Sequence, residues 1–507
     1  MIAKIHSAIP HGFTGKLVEV EGDMNKGLPS FNIVGMANKT INESKERVRS
    51  ALVNSGFSFP DRKVTINLAP ADLLKDGTGL DLPIALAILT LSQQLLQKYT
   101  MDCIFAGELS LDGKIRPIGG IINIVERAKE AGFRKVFVPI DNLRQANLVN
   151  GIKIIGVSNL KELFMFLKQQ IKISPPSTDV NVKNTITDST SVLLDHVRGQ
   201  NIAKRAISIA IAGHHNILIS GPPGAGKTLI AKAAANLLPD LSPTEQISIT
   251  KIHSLSFNTT DIISSRPFRS PHHTASSVSI IGGGSHASPG EISLAHHGVL
   301  FLDELPEYPR NILEALRQPL EDKQITISRA NQKTTYPADF MLIATMNPCP
   351  CGYADDPYHE CTCTPQQLQS YHKKLSGPLL DRIDICINVQ KVDNIDLLKQ
   401  PASSFSEHSV VKNTIKQAVQ RQYTRYRKNN FYNSSLSSYQ VSTLLQIESE
   451  TEQFLQNVSK KLNLSARAYF KVIKVARTIA DLDGLDKIST PQITEALSFR
   501  HFSPQNP

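Results

Sequence analysis

Strands and helices alternate along most of this chain, as the spacing of its apolar residues indicates. Short runs that are apolar at nearly every position, such as residues 217–219, 298–302 and 341–346, predict buried strands of a parallel sheet. Segments with apolar residues every three or four positions, such as residues 229–238, predict helices. This order predicts an α/β fold in which helices cover both faces of a parallel sheet.

The same pattern divides the chain into three parts and one linker. Residues 1–172 alternate strand-like and helix-like segments, and residues 173–191 form a polar stretch with two consecutive prolines that is typical of a linker. Residues 192–395 show the strand–helix alternation of a parallel sheet, whereas residues 396–507 have helical spacing throughout. We therefore expect an N-terminal α/β domain, an α/β core and a helical C-terminal domain.

Composition narrows the class of protein without identifying it. The chain has 507 residues, of which 41% are hydrophobic, as is usual for chains that bury real cores. Its formal net charge of +10 suits a polyanionic partner, although charge alone does not establish one. No apolar run is long enough to cross a bilayer and the first residues lack a signal-peptide core, so we expect a cytoplasmic protein without a membrane partner.

A complete phosphate-binding loop lies between the predicted strand at residues 217–219 and the predicted helix at residues 229–238. Its glycines leave backbone N–H groups free to face phosphate oxygens, and the helix N-terminus adds a favourable dipole. Lys227 is expected to reach the outer phosphates and the Thr228 hydroxyl to bind magnesium. The loop predicts a nucleoside triphosphate ligand, ATP with Mg²⁺, and consists of Gly221, Pro222, Pro223, Gly224, Ala225, Gly226, Lys227 and Thr228.

Two acidic residues follow the second predicted strand. Asp303 and Glu304 come directly after residues 298–302, so both carboxylates are expected at the carboxyl edge of the sheet, where α/β folds bind ligands. Asp303 is expected to hold the magnesium ion and Glu304 to polarise the attacking water. The third strand, residues 341–346, brings the Asn347 amide to the same edge, where it can position that water.

The order of these motifs resembles that of the AAA+ ATPases, in the branch that holds magnesium chelatase and minichromosome-maintenance helicase motors. In that branch the arginine matching Arg382 reaches into the site of the neighbouring subunit. Arg467 matches the sensor arginine of the lid domain, and residues 197–200 match the segment that packs beside adenine. Arginine suits both catalytic tasks because it stays charged and spreads its donors over phosphate oxygens. The resemblance implies a ring of subunits.

Four further segments resemble the bacterial magnesium-chelatase-like YifB/ComM family over almost the whole chain. They are residues 29–35, 67–72, 270–273 and 376–384. The resemblance implies an ATP-driven hexameric motor that acts on single-stranded and branched DNA, with ATP and Mg²⁺ as cofactors. It also implies branch migration while incoming DNA is recombined in natural transformation, with recombination proteins as candidate partners.

Residues 64–139 resemble the Lon protease fold but lack its catalytic dyad. Matching the glycine-rich turns places Gly79 where the nucleophilic serine of Lon would lie and Ile122 where its lysine would lie. Neither side chain supplies the hydroxyl or the amine of lowered pKa that this mechanism requires. We therefore expect a scaffold or a DNA-contacting collar rather than a peptidase.

Four cysteines form two closely spaced pairs within the core. Cys349 and Cys351 are separated by nine residues from Cys361 and Cys363. Four thiolates suit a closed tetrahedral zinc site, which would brace the subunit interface rather than do chemistry. His359 could replace one thiolate, and a metal-free reduced loop is the alternative.

A predicted hairpin lies between the strand that precedes Asp303 and the strand that precedes Asn347. Residues 324–329 and 334–338 read as its two strands, with residues 330–333 at the tip, and the hairpin resembles the pore hairpin of minichromosome-maintenance motors. In a ring, Arg329 and Lys333 would follow the DNA backbone without reading sequence, and their binding would weaken with salt. An exposed pair of hairpin charges is the alternative for these residues.

Two other segments are candidates for DNA contact. The glycine-rich insert at residues 282–286 is a candidate second pore loop. A basic cluster lies in the N-terminal domain, where a solvated charged face explains it equally well: Lys45, Arg47, Arg49, Arg62 and Lys63.

The motifs and resemblances together predict one architecture. It consists of a Lon-protease-like α/β domain (residues 1–172), a linker (173–191), an AAA+ parallel-sheet ATPase core with a pore hairpin and a cysteine-rich insert (192–395), and a helical lid (396–507). The favoured function is an ATP-hydrolysing DNA helicase or translocase.

Other functions remain open at this point. A chelatase-type motor that remodels a protein partner would lack salt-sensitive DNA binding. A nucleotide-gated scaffold without turnover is opposed by Glu304 together with Arg382. An ATP-dependent protease is opposed by Gly79 and Ile122.

Overall fold

The computed structural model describes most of the chain. The described residues are 2–35, 39–73, 75, 77–173, 192–257, 259–284, 287–329, 332–354, 356, 359–391 and 406–500, with the backbone alone for residues 39–42, 257, 329 and 332. The expected linker, apart from its first residue, and residues 285–286 and 330–331 of the two predicted pore loops lie outside them.

The N-terminal domain is a seven-stranded mixed sheet with the strand order β3-β4-β2-β1-β5-β8-β9. Helix α2 lies under this sheet and is buried along its whole length, because all its residues except Asp81 and Thr90 are apolar. The strands are β1 (Ile2–His11), β2 (Thr14–Asn25), β3 (Ser30–Val34), β4 (Lys63–Ala69), β5 (Cys103–Phe105), the two-stranded pair β6 (Glu108–Leu109) and β7 (Ile115–Arg116), β8 (Lys135–Pro139) and β9 (Lys153–Val157). The helices are α1 (Lys39–Asn54), α2 (Asp81–Leu91), α3 (Ile121–Glu130), α4 (Leu143–Ala146) and α5 (Leu160–Leu167), with 3₁₀ turns at Gln97–Tyr99 and Ile140–Asn142.

The core is built on a five-stranded parallel sheet with the order β11-β14-β17-β10-β18. Its strands are β10 (Ile217–Ser220), β11 (Phe268–Arg269), β14 (Val299–Leu302), β17 (Met341–Met346) and β18 (Ile385–Asn388), and two antiparallel pairs add β12 (Gly282–Gly283), β13 (Ser288–Pro289), β15 (Gln324–Arg329) and β16 (Gln332–Pro337). The helices are α6 (Asn201–Gly213), α7 (Lys227–Leu237), α8 (Pro243–Phe257), α9 (Ser277–Ile281), α10 (Glu291–Leu294), α11 (Arg310–Ala315), α12 (Arg317–Asp322), α13 (Pro365–Lys373) and α14 (Gly377–Leu380), with 3₁₀ turns at Leu194–His196 and Leu305–Glu307.

The lid is helical, as its apolar spacing predicts. It contains α15 (Glu407–Tyr426), α16 (Ser438–Leu444), α17 (Ser449–Lys461), α18 (Ala466–Asp483) and α19 (Thr490–Ser498), with a 3₁₀ turn at Asn433–Ser435. Helix α18 begins where the Ser465 hydroxyl accepts from the Ala468 N–H, and it ends at Gly484, whose φ of 82° suits glycine. None of the described helices combines the length and the apolar character that crossing a bilayer requires.

Buried polar contacts join the lid to the core. The Lys471 ammonium of α18 lies 2.7 Å from the carboxylate of Asp384, which precedes β18, and both side chains are 12% exposed. Gln422 of α15 donates to the Ala212 carbonyl of α6 at 2.8 Å. Because polar groups taken out of water must find partners, these contacts fix where the lid docks.

A second set of contacts joins the N-terminal domain to the core. The Gln145 amide donates to the backbone carbonyls of Thr259 and Asp261 at 2.8 and 2.9 Å. Lys251 of α8 pairs with the Glu126 carboxylate of α3 and lies 4.2 Å from the centre of the Phe13 ring. The turn between β1 and β2 therefore rests on the core.

One proposed DNA contact has a structural partner instead. Arg47 of α1 donates from Nε to the Asp81 carboxylate at 2.9 Å and from Nη2 to the Ser44 hydroxyl at 2.8 Å. The Asp81 side chain is fully buried, and burial raises its pKa although Arg47 acts to lower it. The prediction of an exposed basic cluster is therefore wrong for Arg47, because its guanidinium group pairs with a buried carboxylate.

Replacing Arg47 tests this role. In Arg47→Ala, the Asp81 carboxylate stays buried without its cation, and we expect a loss of about 3–5 kcal/mol in the free energy of unfolding. Urea unfolding followed by circular dichroism measures it. Arg49→Ala is the matched control on the same helix: Arg49 is exposed above the Phe59 ring, so we expect a loss of about 1 kcal/mol or less. Equal losses in the two variants would contradict the role of Arg47.

Candidate nucleotide site

The phosphate-binding loop lies at the carboxyl edge of the core sheet. Strand β10 runs parallel to β17, with Ser220 opposite Met346, so the segments that follow the two strands emerge side by side. Gly224 and Gly226 have φ angles of 79° and 81°, and open space surrounds both where a side chain would project. Glycine is favoured there because only it adopts this conformation without strain while leaving the backbone open to a ligand.

The Lys227 side chain lies along the phosphate-binding loop. Its ammonium donates to the carbonyls of Gly221 and Pro222 at 2.5 and 3.1 Å and to Asn347 Oδ1 at 2.9 Å. Burial lowers the pKa of Lys227, while the Asp303 carboxylate acts to raise it. The structure thus brings the predicted lysine and the predicted asparagine together in one site.

Asp303 links the phosphate-binding loop to strand β17. One carboxylate oxygen accepts from the Thr228 hydroxyl at 3.1 Å, and the other accepts from the Thr345 hydroxyl of β17. Thr345 in turn accepts from the Glu304 N–H at 3.2 Å. Oxygen ligands of this kind suit Mg²⁺, so Thr228 and Asp303 fit the ion that their motifs predict.

Thr345 is the residue of this site that the sequence analysis missed. It is fully buried in β17 and orders the side chain of Asp303 and the backbone of Glu304 with one hydroxyl. The available signal was a lone hydroxyl residue within an apolar strand, two positions before Asn347. Strand pairing decided its role, because β14 and β17 place Leu302 opposite Ala344 and thus Thr345 beside Asp303.

Glu304 lies just after β14 in the left-handed region of backbone conformation. Its φ is 53° and its side chain is 51% exposed. His273 Nδ1 lies 4.0 Å from Glu304 Oε2, beyond hydrogen-bond distance. A half-exposed carboxylate next to the phosphate loop can reach a water molecule, as polarising a nucleophile requires.

The two predicted arginines lie at the opposite edge of the sheet. Arg382 precedes β18, and its carbonyl accepts from the amide of Asn216, which precedes β10, at 3.0 Å. Arg467, at the start of α18, and Arg382 both pair with the Glu321 carboxylate. Strands of this length separate the two edges by about 13 Å. The structure brings the arginines to each other and not to the phosphate loop of their own chain.

The segment predicted to pack beside adenine lies next to the phosphate loop. The Gln200 amide donates to the Gln390 carbonyl at 2.5 Å and to the Ala225 carbonyl at 3.4 Å. This contact places Gln200 beside the loop, and the packing of residues 197–200 against adenine stays a prediction.

The four cysteines meet in one cluster beside the nucleotide site. Their sulfur atoms all lie within 4.8 Å of one another, with Cys349 and Cys361 at 3.8 Å and Cys351 and Cys361 at 3.6 Å. Four thiolates around zinc at ordinary bond lengths stand about 3.8 Å apart, so the cluster, completed by Cys363, fits the ion. The His359 ring instead stacks on Tyr353, with 4.8 Å between ring centres.

The predicted hairpin forms, with a shorter tip than expected. Lys333 pairs with Ser328 within the β15–β16 ladder, so the placement of Lys333 in the tip was wrong: the strand begins at Gln332. Alternation along β16 buries Thr334 and Tyr336 and leaves Lys333 exposed. The side chain of Arg329 lies outside the described residues.

The Lon-like region offers no serine–lysine dyad at the matched positions. Gly79 accepts from the Gly107 N–H at 3.0 Å through its backbone, and the Ile122 side chain is fully buried. The nearby Lys75 ammonium is also buried and donates to the Pro70 carbonyl. These contacts are those of a packed domain.

Three family models match consecutive parts of the chain. The model for magnesium chelatase, subunit ChlI, matches residues 193–397. A model for subunit ChlI of Mg-chelatase matches residues 20–142, and a model for the ChlI C-terminal part matches residues 406–500.

Two relatives are similar over nearly their full lengths. The uncharacterized protein YifB of Escherichia coli is 40% identical over 98% of this chain and 96% of its own. The competence protein ComM of Haemophilus influenzae is 40% identical over 98% of this chain and 97% of its own. The chain belongs to the YifB/ComM family of magnesium-chelatase-like AAA+ proteins. Membership of this family implies ATPase activity.

The resemblance to Lon protease covers only part of the chain. Lon protease 2 of Bacillus subtilis is 30% identical over 184 residues, or 32% of each chain. The mixed α/β architecture, the parallel-sheet core and the helical C-terminal part confirm the predicted fold class.

Removing the Thr345 hydroxyl tests how much the site depends on it. In Thr345→Val the shape of the buried side chain is kept, but Asp303 and the Glu304 N–H lose a partner. We expect ATP turnover to fall by about 10- to 100-fold and the Mg²⁺ requirement to rise. Steady-state turnover across a Mg²⁺ series measures both. Thr345→Ser should retain activity, and wild-type kinetics in the valine variant would show that the hydroxyl does not support the site.

Proposed function

We propose that this protein is an ATP-driven DNA motor that works as a ring, a hexamer by family resemblance, and promotes branch migration during recombination in natural transformation. Single-stranded and branched DNA are its substrates, and recombination proteins are its candidate partners. The cytoplasm supplies both ATP and DNA. The proposal includes no peptidase activity, because Gly79 and Ile122 replace the dyad that such an activity requires.

The separation of the arginines from the phosphate loop carries this proposal. Lys227, Asp303, Glu304 and Asn347 lie at one edge of the sheet, and Arg382 lies at the other with Arg467. An arginine at that edge can serve a triphosphate only if another copy of the chain presents it. A closed ring of head-to-tail contacts supplies every site with such a neighbour.

Each residue of the site has a distinct task in hydrolysis. The loop N–H groups and Lys227 bind the phosphates, and Thr228 with Asp303 holds Mg²⁺, which when bound neutralises phosphate charge. Glu304 accepts a proton from the attacking water, and Asn347 orients that water. Arg382 and Arg467 of a neighbouring copy stabilise the charge that develops on the γ-phosphate.

Support for DNA as the substrate comes from the hairpin and the charge of the chain. Lys333 is exposed on β16, whose alternate residues anchor the hairpin to the core. A lysine so presented in a ring can follow a phosphate backbone without reading sequence, and the net charge of +10 favours a polyanion. One relative that is similar over nearly the whole chain is named for competence.

We also propose that the cysteine cluster holds a structural zinc ion. The cluster begins two residues after Asn347, and Gly352 within it packs against Pro223 of the phosphate loop, where an added side-chain carbon would lie 2.8 Å from the proline ring. A closed site with four thiolates leaves no position for a substrate. The ion would therefore fix the position of Asn347 and the loop.

A chelatase-type motor that remodels a protein partner is the second candidate. All three matching family models are described as parts of magnesium chelatase subunit ChlI. This candidate uses the same ATP chemistry and differs in its response to DNA.

ATP turnover with and without DNA tests the proposed function. We expect single-stranded and forked DNA to stimulate turnover, and the stimulation to fall as salt rises. Lys227→Ala should lower turnover by at least about 100-fold because the phosphates lose their cation, and Glu304→Gln should keep ATP binding while blocking turnover. If DNA does not change ATP turnover at any salt concentration, the proposed DNA motor is contradicted and a motor acting on a protein is favoured.

The hairpin is tested by a pair of lysine variants. Lys333→Ala should weaken DNA stimulation and reduce the salt slope of DNA binding by about one unit, because one phosphate contact is lost. Lys460→Ala removes an exposed lysine of the lid helix α17 and should leave both unchanged.

Metal analysis tests the zinc site. Protein purified under reducing conditions should contain one zinc ion per chain, and Cys361→Ser should lower that content because a thiolate ligand is lost. Cys103→Ser removes a buried thiol outside the cluster and should keep the metal. Wild-type protein without zinc would show that the four thiols form a metal-free cluster.

A further inference from the structure

One carboxylate holds both catalytic arginines. Glu321 Oε2 lies 2.5 Å from Arg382 Nη2, and Glu321 Oε1 pairs with Arg467 Nη2. Glu321 belongs to α12 of the core, and Arg467 belongs to α18 of the lid. The two guanidinium groups therefore converge on a single anion contributed by the same chain.

Arg382 has donor capacity that Glu321 does not use. Its side chain is only 8% exposed, and its Nη1 donates to the Pro378 carbonyl at 2.5 Å. Its Nε is buried without a hydrogen-bond partner among the described residues. An unpaired buried donor on a cation is costly, so the group favours an anion with more oxygens than one carboxylate offers.

The surroundings of the three residues can admit such an anion. Glu321, Arg382 and Arg467 line a cavity of about 560 Å³, which is within the range of small-molecule sites. Lys323, Lys471 and Lys474 line the same cavity together with Asp339 and Asp384, so that with the two arginines the lining carries a net positive charge. A phosphate chain carries three terminal oxygens and fits this combination of volume and charge.

Contacts other than that of Glu321 also join the lid to the core. The buried contact between Lys471 and Asp384 already joins the two domains, and Arg205 adds ion pairs to Asp483 and Glu495 at 3.0 and 2.8 Å. The Glu321 and Arg467 side chains, which join the core to the lid, are 42% and 43% exposed, and ion pairs of this exposure contribute little to stability. The effect of Glu321 therefore falls mainly on the availability of the arginines.

We propose that Glu321 is a stand-in for the γ-phosphate of the neighbouring subunit: its carboxylate occupies Arg382 and Arg467 until that phosphate displaces it. Glu321 is thus a positioning residue that acts through the arginines. It keeps both guanidinium groups preorganised, and it makes ring closure depend on a triphosphate rather than on contact alone. This inference rests on the proposed trans role of the arginines and does not involve DNA.

Assembly measured without DNA tests the inference. In the Glu304→Gln background, which is expected to bind ATP without turnover, sedimentation velocity with Mg²⁺ and ATP gives the protein concentration at half-maximal assembly. Glu321→Gln should lower this concentration by about three- to tenfold, because a neutral amide competes less well for the arginines. Glu130→Gln, a neutralised exposed acid of the N-terminal domain, should not change it.

A second background separates competition from simple charge repulsion. With Arg467→Ala, Glu321 has one arginine fewer to occupy, and the effect of Glu321→Gln should shrink toward that of the control. An equal effect in both backgrounds would mean that Glu321 only repels the phosphate, which contradicts the inference. Glu321→Gln that raises or does not change the assembly concentration would contradict it too, because a purely structural carboxylate gives that result.

The outcomes also separate the inference from the function that it rests on. Failure of the Glu304→Gln parent to assemble with ATP would overturn the proposed ring and this inference with it. Assembly of the parent without a gain in Glu321→Gln would overturn the inference alone.

Discussion

The parallel register of the core sheet is the constraint on which the rest of the structure depends. Ile217 pairs with Ile343 on one side of β10 and with Ile385 on the other, so three neighbouring strands begin at the same edge and end at the same edge. Everything that follows a strand, including the phosphate loop and Asn347, gathers at the carboxyl edge. Arg382 precedes a strand, so it can only lie at the other edge. Within one chain, the phosphate-binding loop and Arg382 therefore lie at opposite edges of the sheet.

Buried charge makes this separation rigid. Asp384 lies two residues after Arg382, and Lys471 lies one helical turn after Arg467, so their contact couples the arginine segments of the core and the lid. Burial alone would raise the pKa of Asp384, but Lys471 and His215 hold it well below its ordinary value. Removing either member of such a pair leaves an unpaired buried charge, which is strongly unfavourable. The two arginines are thus supported as one unit.

The sequence predicted those features that depend on neighbours along the chain. The strands at residues 217–219 and 341–346 formed within one residue of their expected bounds, because a short apolar run after a loop has few other uses. Thr345 and Arg47 acquire their roles from residues 42 and 34 positions away, and no local pattern encodes such partners. No local pattern encodes the arginine partners of Glu321 either, because the sequence around it predicts only an exposed acidic residue on a helix. Long-range pairing therefore set the limit of prediction in the site as well as in the fold.

The N-terminal domain contacts the hairpin and the core through one turn. A side-chain carbon added at Gly12, in the turn between β1 and β2, would overlap the methyl group of Thr334 on the hairpin strand β16. The same turn places Phe13 against Lys251 of the core. A domain that touches the hairpin directly behind Lys333 can hold that strand in place while the opposite face meets a ligand. Glycine at position 79 and isoleucine at position 122 are compatible with this task, because a rigid support needs a packed core and a complementary surface rather than a nucleophile.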